Sequence, residues 1–403
     1  MEIFWIISGL AIFGLIVYGL QILAVRSYIR TIQKPTQDRD SMETLPAISI
    51  LKPLSGLDDN LFDNLESFCL QDYPKYEILC SIQDPNDPAY RVAEKVKKKF
   101  PEREISILVE RCNDGLNPKV NNMLHAYRRA RYPYILISDS NVMVDSDYLK
   151  KNAQLMDDPR IGLVTNLIRG VGAKTIGSLF ENLHLNSFIL GNVCFLRRFL
   201  NIPCVVGKSM LMRKCDLEAI GGLRAFKEML AEDHFIGKKI RERGQEVMVS
   251  SYMINNVNEY WGLKRFLNRH LRWGTMRWKI LGYRYVTELV ANPVLLSFLS
   301  LLFEGASKRS LVLIASVFFM KAAGDLYIGE KINAQLHPLA YFLSPLKDLL
   351  MGVVWFMSIA DDTIVWRGNR YLIGENTALF PCPQSDIWTW GYRFMDRIRA
   401  KVA

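Results

Sequence analysis

Two short motifs near the start of the hydrophobic C-terminal third of this 403-residue chain contain side chains that could do chemistry together. The first contains Glu232 and Asp233, and the second contains Arg269, Arg272 and Trp273. Asp233 could act as a general base that takes the proton from an attacking hydroxyl. The two arginines are three residues apart, so on a helix they share a face and could offset the charge of a departing diphosphate. The pattern indicates a diphosphate donor handled beside a membrane, with an acceptor from the lipid.

Each of these side chains also has a structural interpretation. Asp233 could belong to a solvated, charged helix face, and the two arginines could contact lipid headgroups. Trp273 could stack on a sugar ring or anchor the chain at the membrane interface. The two motifs alone therefore leave catalysis and membrane attachment open.

Three polar residues further upstream could bind the donor. Asp84 follows an apolar run, where it could accept hydrogen bonds from a nucleobase or ribose, or simply form a turn. Asp139 ends another apolar run and could bind a divalent cation together with donor phosphates, or cap the next helix; two positions later stands Asn141 rather than a second acid. Lys119, at a predicted helix start, could meet a phosphate or belong to a polar helix N-terminus.

The segments that must position these residues alternate between strand-like and helix-like patterns over residues 47–260, which we predict to be the catalytic domain. Apolar runs such as Ala47–Leu51 and Tyr134–Ser138 alternate with amphipathic stretches such as Ala89–Phe100. This alternation predicts an α/β fold with a mostly parallel sheet flanked by helices. Ligands of such sheets bind at the carboxyl ends of the strands, where both upstream aspartates fall.

The N-terminal residues have the composition of a membrane-spanning helix. Residues 3–25 carry no charge, and at 1.5 Å per residue they are long enough to cross a bilayer core of about 30 Å. Because Arg26 and Arg30 follow, the positive-inside rule puts the next domain in the cytoplasm. We predict a retained anchor over residues 1–27 and a linker over residues 28–46.

The part of the chain after the catalytic domain divides into three regions by composition. Residues 261–285 combine cations with tryptophans and tyrosines, which predicts an amphipathic interfacial helix. Residues 286–360 contain three apolar membrane segments, and residues 361–403 form a basic tail. A cytoplasmic tail requires an even number of crossings after the catalytic domain, so we expect one of the three segments not to span.

Charged residues interrupt two of these apolar segments. Lys321 and Asp325 lie in the second, and Lys347 and Asp348 lie in the third. Charges inside such segments either face a cavity or mark re-entrant helices.

The overall composition favours a membrane enzyme of a reducing compartment. The chain has a net charge of +10 and is 50% hydrophobic, yet it contains no recognisable nucleic-acid-binding module. Anionic headgroups and a nucleotide diphosphate account for the positive charge. Its seven cysteines are scattered without a CxxC pair, which fits neither a zinc site nor a disulfide framework.

The order of these features resembles that of GT-A glycosyltransferases of the family 2 type, and more closely that of the ceramide glucosyltransferase family. The resemblance runs from about Ile48 to beyond Trp366. The blocks that carry it are Leu51-Lys52-Pro53-Leu54, Asn64-Leu65-Glu66, Asp72-Tyr73-Pro74-Lys75-Tyr76-Glu77, Gln83-Asp84, Asn117-Pro118-Lys119-Val120-Asn121-Asn122, Gly207-Lys208-Ser209-Met210-Leu211-Met212-Arg213-Lys214, Gly221-Gly222-Leu223, Ala231-Glu232-Asp233 and the motif from Arg269 to Trp273.

The resemblance implies a GT-A nucleotide-sugar-binding domain that inverts configuration at the sugar carbon. Asp84 and Asp139 would hold UDP and its divalent cation, Mg²⁺ or Mn²⁺, with Asp139 as the metal ligand. Lys52 and Lys119 would be donor-site neighbours.

In the same family pattern, Asp233 would be the catalytic base, and Arg269, Arg272 and Trp273 would close the donor site. The implied reaction is transfer of glucose from UDP-glucose to the primary hydroxyl of ceramide. The same chemistry on a hopanoid or a diacylglycerol, or with UDP-N-acetylglucosamine, stays open, as do a processive polysaccharide synthase and a non-catalytic binder. Because Val365–Tyr371 resembles bacterial hopanoid-glycosylating relatives, we expect a bacterial inner membrane protein with its catalytic domain in the cytoplasm.

Overall fold

The computed structural model describes residues 2–32 and 45–382. Its centre is an eight-stranded sheet in the order β3-β2-β1-β4-β7-β6-β8-β5. The strands are β1 (Ile48–Pro53), β2 (Tyr76–Ile82), β3 (Ile105–Val109), β4 (Tyr134–Ser138), β5 (Val142–Met143), β6 (Ile161–Val171), β7 (Ser209–Arg213) and β8 (Glu246–Val257).

The sheet is mixed but mostly parallel, which confirms the predicted α/β class. β1 pairs in parallel with both β2 and β4, and β6 pairs in parallel with β8. β7 is antiparallel to its neighbours β4 and β6. In that pairing Ser138 lies opposite Ser209, so the start of β7 comes beside the end of β4. The residues just after β4 and just before β7 therefore share one edge of the sheet.

Helices cover both faces of the sheet, and further helices follow in the C-terminal third. Successive strand residues point to opposite faces, as Ile50 and Leu51 do in the two core clusters. The helices are α1 (Glu2–Ile32), α2 (Leu61–Cys69), α3 (Pro88–Lys99), α4 (Pro118–Arg129), α5 (Tyr148–Leu155), α6 (Ile176–His184), α7 (Leu190–Leu200), α8 (Lys214–Ala219), α9 (Glu232–Glu242), α10 (Leu263–Leu281), α11 (Val286–Val290), α12 (Pro293–Glu304), α13 (Lys308–Lys331) and α14 (Ser344–Ala360). A π-helical turn (Leu185–Ile189) joins α6 to α7.

Within the described residues, three helical stretches are long and apolar enough to cross a membrane: Glu2–Arg30, Lys308–Lys331 and Pro338–Ala360. A fourth crossing exists only if the pair Leu263–Val290 and Pro293–Glu304, bent by 71°, counts as one span. The bend falls at Asn292-Pro293, because proline lacks the amide hydrogen that would continue the helix. The first of the three predicted C-terminal segments is therefore the one that is broken.

The four charged residues of the C-terminal segments form one buried group, here called the helix charge cluster. Lys321 pairs with Asp325 one turn away on α13, and it also lies 3.3 Å from Asp348 on α14. Lys347 forms an ion pair with Asp348. Tyr18 on α1 donates a 2.6 Å hydrogen bond to Asp325. The cluster thus joins α1, α13 and α14 through polar contacts inside an apolar helix bundle.

The chain returns to the catalytic domain after α14. Residues 363–381, which the sequence predicted to belong to a basic tail, contain a three-stranded antiparallel sheet of β9 (Thr363–Trp366), β10 (Asn369–Ile373) and β11 (Leu379–Pro381). Ile364, Tyr371, Ile373 and Leu379 pack with Leu230, just before α9. Most of the predicted linker, residues 33–44, and the tail from residue 383 onward lie outside the described residues.

Candidate active site

Asp139 lies directly after β4, at the carboxyl edge of the sheet, and each of its carboxylate oxygens pairs with a lysine. Oδ1 is 3.0 Å from Nζ of Lys119, and Oδ2 is 3.0 Å from Nζ of Lys208. Burial alone would raise the pKa of Asp139, but the two lysines outweigh burial and hold it below its usual value. Asp139 is therefore an anion at neutral pH, with a side chain that remains 25% exposed.

Lys119 reaches the same place from the first turn of α4. The Asn117 side chain caps this helix by accepting hydrogen bonds from the amides of Lys119 and Val120, at 2.8 and 3.0 Å. Nζ of Lys119 also lies 3.0 Å from Oε1 of Glu232 and donates to the carbonyl of Gly207 at 2.9 Å. Although burial opposes its charge, the surrounding carboxylates raise the pKa of Lys119 above its usual value. We call Lys119, Asp139, Lys208 and Glu232 the sheet-edge charge cluster.

Lys52 holds the backbone next to this cluster in place. It is the last residue but one of β1 and has a fully buried side chain, and its ammonium lies 3.4 Å from the centre of the Phe68 ring. It donates to the Ser138 hydroxyl at 3.1 Å and to the carbonyl of Asp139 at 3.0 Å. Burial lowers the pKa of Lys52 well below its usual value. Its contacts fix the backbone that carries Asp139.

Asp233 sits in the first turn of α9 with both carboxylate oxygens held by backbone amides. Oδ2 accepts from the Gly207 amide at 2.9 Å, and Oδ1 accepts from the His234 amide at 2.8 Å. A side chain at Gly207 would come within 2.5 Å of Oδ2, so this approach requires glycine. Burial raises the pKa of Asp233. The adjacent Glu232 belongs to the sheet-edge charge cluster, so Asp233 borders it directly.

Arg269 is buried on α10 and pairs with a carboxylate that the sequence did not single out. Its Nη1 lies 3.2 Å from Oε1 of Glu181, which is fully buried on α6, and His270 bonds the other oxygen at 2.8 Å. Although burial opposes ionisation, Arg269 and His270 lower the pKa of Glu181 to about 2. The guanidinium also packs over Trp273 and Trp261, at 4.3 and 5.0 Å from the ring centres. This enclosure argues against the alternative in which Arg269 contacts lipid headgroups.

Arg272 faces the small C-terminal sheet, and Trp273 faces the interior. The guanidinium of Arg272 lies 5.3 Å from the ring centre of Trp366, at the end of β9. Trp273 packs against one of the two main core clusters and contacts His270 edge to face at 5.4 Å. The partly buried Trp273 is thus held by protein contacts on several sides.

Asp84 is not joined to the sheet-edge charge cluster by any contact among the described residues. It is exposed in the loop after β2, and its Oδ1 accepts a 2.8 Å hydrogen bond from the amide of Asn86. This is the turn geometry that the sequence offered as an alternative. The structure therefore brings together Asp139, Lys119, Lys52 and Asp233, while Asp84 stays at the same edge two strands away from β4.

The residues around Asp139 could hold a divalent cation only if a bound ligand supplied further oxygen atoms to it. Among residues 2–32 and 45–382, no group of three or more His, Cys, Asp or Glu side chains is placed to hold a metal ion. Lys208 nevertheless shows that two oxygens converge on one cation, because its Nζ lies 3.0 Å from Asp139 and 2.8 Å from Oδ1 of Asn141. Mg²⁺ commonly takes one or two protein oxygens and completes its shell with phosphates and water.

Sequence reasoning missed four residues of this region: Glu181, Lys208, Glu232 as an ion-pair partner, and Trp366. Lys208 and Glu232 were within the quoted motif blocks but carried no assigned role. Glu181 lies 88 positions before Arg269, and no local pattern links the two. A buried position on an amphipathic helix occupied by an acid is a signal that could have marked Glu181.

Comparisons with known proteins identify the family of the chain. The family model for glycosyl transferase family 21 matches residues 8–379. Ceramide glucosyltransferase 3 of Caenorhabditis elegans is 28% identical over 379 residues, covering 92% of this chain and 81% of the relative. Ceramide glucosyltransferase 1 of the same organism is 30% identical over 341 residues, covering 81% of this chain and 72% of the relative.

A solved structure also aligns with most of the chain. It is a mannosyltransferase from Pyrobaculum calidifontis in complex with GDP-Man and Mn²⁺, with a TM-score of 0.49 and 15% sequence identity over 87% of this chain and 99% of that chain. The family match spans the sheet, the sheet-edge charge cluster and the C-terminal helices. It confirms the resemblance predicted from the sequence, and the chain belongs to glycosyl transferase family 21.

Proposed function

We propose that this protein transfers glucose from UDP-glucose to the primary hydroxyl of ceramide, giving β-glucosylceramide with inversion at the sugar carbon. The names of the two nematode relatives support glucose as the transferred sugar and ceramide as the acceptor. The observation that carries the proposal is Asp233, fixed by two backbone amides beside the sheet-edge charge cluster. This arrangement supports a single base next to an anion-binding site.

Asp233 is the proposed catalytic base. In the reaction it accepts the proton of the ceramide hydroxyl as that oxygen bonds to the sugar carbon and the bond to UDP breaks. Its raised pKa makes it a stronger base than an exposed aspartate. Because both oxygens already accept amide hydrogen bonds, the carboxylate is oriented before the acceptor arrives.

The negative charge that develops on UDP is offset by residues of the sheet edge and of α10. Lys119, Arg269 and Arg272 are the proposed partners of the diphosphate, and Trp273 covers the sugar side. Asp84 is the proposed contact to the nucleoside, because its exposed carboxylate is available to base and ribose hydroxyls. Asp139 would hold a divalent cation with the donor phosphates, and such an ion neutralises charge on the leaving group.

The proposed acceptor comes from the membrane that the apolar helices enter. Arg26 and Arg30, which follow the apolar stretch within α1, favour a catalytic domain on the cytoplasmic side. Ceramide would therefore reach Asp233 from the cytoplasmic leaflet.

Purified protein in detergent, supplied with labelled UDP-glucose and ceramide, should form glucosylceramide. The control is the Asp233→Asn variant under the same conditions. Label appearing only on a diacylglycerol or a hopanoid, or only with UDP-N-acetylglucosamine as donor, would refute the ceramide and glucose assignments. A polymer visible by gel would instead indicate a processive synthase.

A further inference from the structure

A cleft lies among the C-terminal helices. Five helices line it: α1, α10, α11, α13 and α14. The C-terminal end of α6 and the bend that precedes α12 complete its walls. His184 lines it and contacts His270, with the two ring centres 4.4 Å apart. His270 bonds Glu181, which pairs with Arg269. The cleft is therefore separated from the buried arginine of the candidate active site by a short chain of direct contacts.

His184 has no hydrogen-bond partner for either ring nitrogen within the described part of the chain. The residue is 1% exposed and stacks on Phe188, with the ring centres 4.9 Å apart. Burial, followed by the nearby His270 and Lys347, lowers the pKa of His184 well below its usual value. A neutral imidazole offers one donor and one acceptor, and leaving buried polar atoms unpaired is destabilising. A ligand in the cleft would satisfy them.

The charges that line the cleft cancel. Arg277 donates to Glu288 at 2.7 Å, and Lys321 lies 3.3 Å from Asp348. With two cations and two carboxylates already paired, a charged head group would lose its hydration without gaining an unpaired counter-ion. The cleft therefore favours a neutral group that forms hydrogen bonds.

The surroundings of the cleft are those of a lipid-facing helix bundle. Three of the wall helices belong to the candidate membrane spans. On α14, Val353 and Phe356 point outward with 55% and 54% exposure, while Trp355 faces the cleft. The broken helix at Ala291 and Asn292 forms part of the wall, which fits the rule that irregular backbone at membrane depth lines a polar cavity. A ligand at this depth would enter from the bilayer.

We propose that this cleft binds the polar head of a neutral lipid that carries hydroxyl or amide groups, with His184 as its hydrogen-bond partner. That this lipid is the acceptor of the glycosyl transfer rests on the proposed function. The contacts from His184 through His270 and Glu181 to Arg269 connect the cleft with an arginine that is a proposed partner of the diphosphate. In this arrangement the alkyl chains stay among the outward-facing apolar side chains.

Binding can be tested without turnover by photolabelling the full-length protein with a diazirine-bearing ceramide. We expect labelled peptides from the segments around residues 184–188 and 351–355. Excess ceramide or diacylglycerol should compete, and phosphatidic acid should not. Labelling confined to other segments, or competition by phosphatidic acid as strong as that by ceramide, would overturn the proposal.

His184→Phe keeps a buried aromatic ring and removes both nitrogens. We expect the KM for the acceptor to rise about tenfold, the KM for UDP-glucose to stay the same, and Tm to stay equal or rise because unpaired polar atoms are lost. His337→Phe, an exposed histidine outside the cleft, is the control. An acceptor KM within twofold of the unsubstituted protein would contradict the assignment.

Ala291→Phe tests the cleft by filling it, with Val286→Phe on the exposed side of the same helix pair as its control. Only the first should weaken ceramide photolabelling, by about tenfold, and equal labelling of the two variants would contradict the proposal. If the unsubstituted protein makes no glucosylceramide, the proposed function fails while photolabelling still decides what the cleft binds. If it makes glucosylceramide but His184→Phe and Ala291→Phe behave like their controls, the cleft assignment fails alone.

Discussion

The sheet-edge charge cluster and the helix charge cluster both consist of lysines paired with carboxylates. They differ in where the secondary-structure elements hold those side chains. At the sheet edge, Lys119 and Asp139 come from the first turn of a helix and from the end of a strand, with side chains 14% and 25% exposed. In the helix charge cluster, Lys321 and Asp325 lie one turn apart within α13, with side chains 7% and 1% exposed. The first cluster is open on one side, and the second is enclosed.

The difference indicates how each cluster is used. Charges at the ends of strands and helices can bind a ligand without any helix moving. A diphosphate can pair with the lysines there, and a cation can replace a lysine beside a carboxylate. Charges in the middle of packed helices are satisfied by each other, since a buried charge left unpaired is costly. The sheet-edge cluster is therefore suited to binding, and the helix charge cluster to fixing the position of the helices around it.

The strongest test of this comparison is Asp233→Asn, next to the sheet-edge charge cluster. The amide keeps the size of the side chain but cannot accept the hydroxyl proton, so we expect kcat to fall about a thousandfold. UDP binding, measured by calorimetry, should be retained. Asp157→Asn, an exposed aspartate after α5, should keep full activity. Equal activity of the two variants would remove Asp233 as the base.

The pH profile provides an independent check on the same residue. Because burial raises the pKa of Asp233, the deprotonated base forms only at a pH above the usual aspartate range near 4. The value of kcat/KM should therefore rise with pH through that raised pKa. An acid limb at the ordinary aspartate pKa would contradict the buried environment described for Asp233.

Lys321→Met should have the next largest effect, and on stability rather than on chemistry. It leaves Asp325 and Asp348 buried with fewer partners, so the free energy of unfolding should fall by about 3 kcal/mol. Lys119→Met should cost less than half of that, because water reaches the sheet edge. Thermal unfolding in detergent measures both. A larger loss in Lys119→Met than in Lys321→Met would break the comparison between the two clusters.

Glu181→Gln tests the connection between the two regions. It removes the charge that holds Arg269 but keeps a hydrogen-bond acceptor for His270, so kcat/KM should fall about tenfold, equivalent to one hydrogen bond to a charged group. Glu94→Gln, in an exposed pair with Lys98, serves as the control. Unchanged steady-state kinetics in Glu181→Gln would show that Arg269 needs no fixed partner.

The smallest effect is expected for Asp84→Asn. Because Asp84 is exposed and lies outside the sheet-edge charge cluster, its loss should raise the KM for UDP-glucose by roughly threefold with kcat unchanged. A kcat defect as large as that of Asp233→Asn would show that Asp84 acts on the reacting atoms. Asp84 would then belong with the residues of the sheet-edge charge cluster.

Local patterns in the sequence were sufficient for most of the elements. Alternating apolar and amphipathic runs predicted the α/β class, because each strand and helix carries its own periodicity. The uncharged N-terminal run predicted α1, which extends to Ile32. The Asn292-Pro293 pair is a local signal that could also have located the break before α12.

Contacts between distant segments could not be predicted in the same way. Lys208 comes beside Asp139 only because β7 runs antiparallel to β4, and no periodicity specifies strand direction. Glu181 on α6 meets Arg269 on α10 across 88 positions, through the packing of two helices that no local pattern specifies. Side chains that meet through the fold leave no spacing signal in one sequence.

The small sheet of β9 to β11 has a consequence for the order of events during synthesis. The amide of Leu230, just before α9, bonds the carbonyl of Thr377, and Trp366 covers Arg272. The segments that support α9 and Arg272 are therefore synthesised in two parts, and the apolar helices α12 to α14 come between them. A nascent chain that has not yet emerged past Leu379 lacks the contacts that hold the start of α9 and Arg272, so the candidate active site is completed only after the apolar helices have been made.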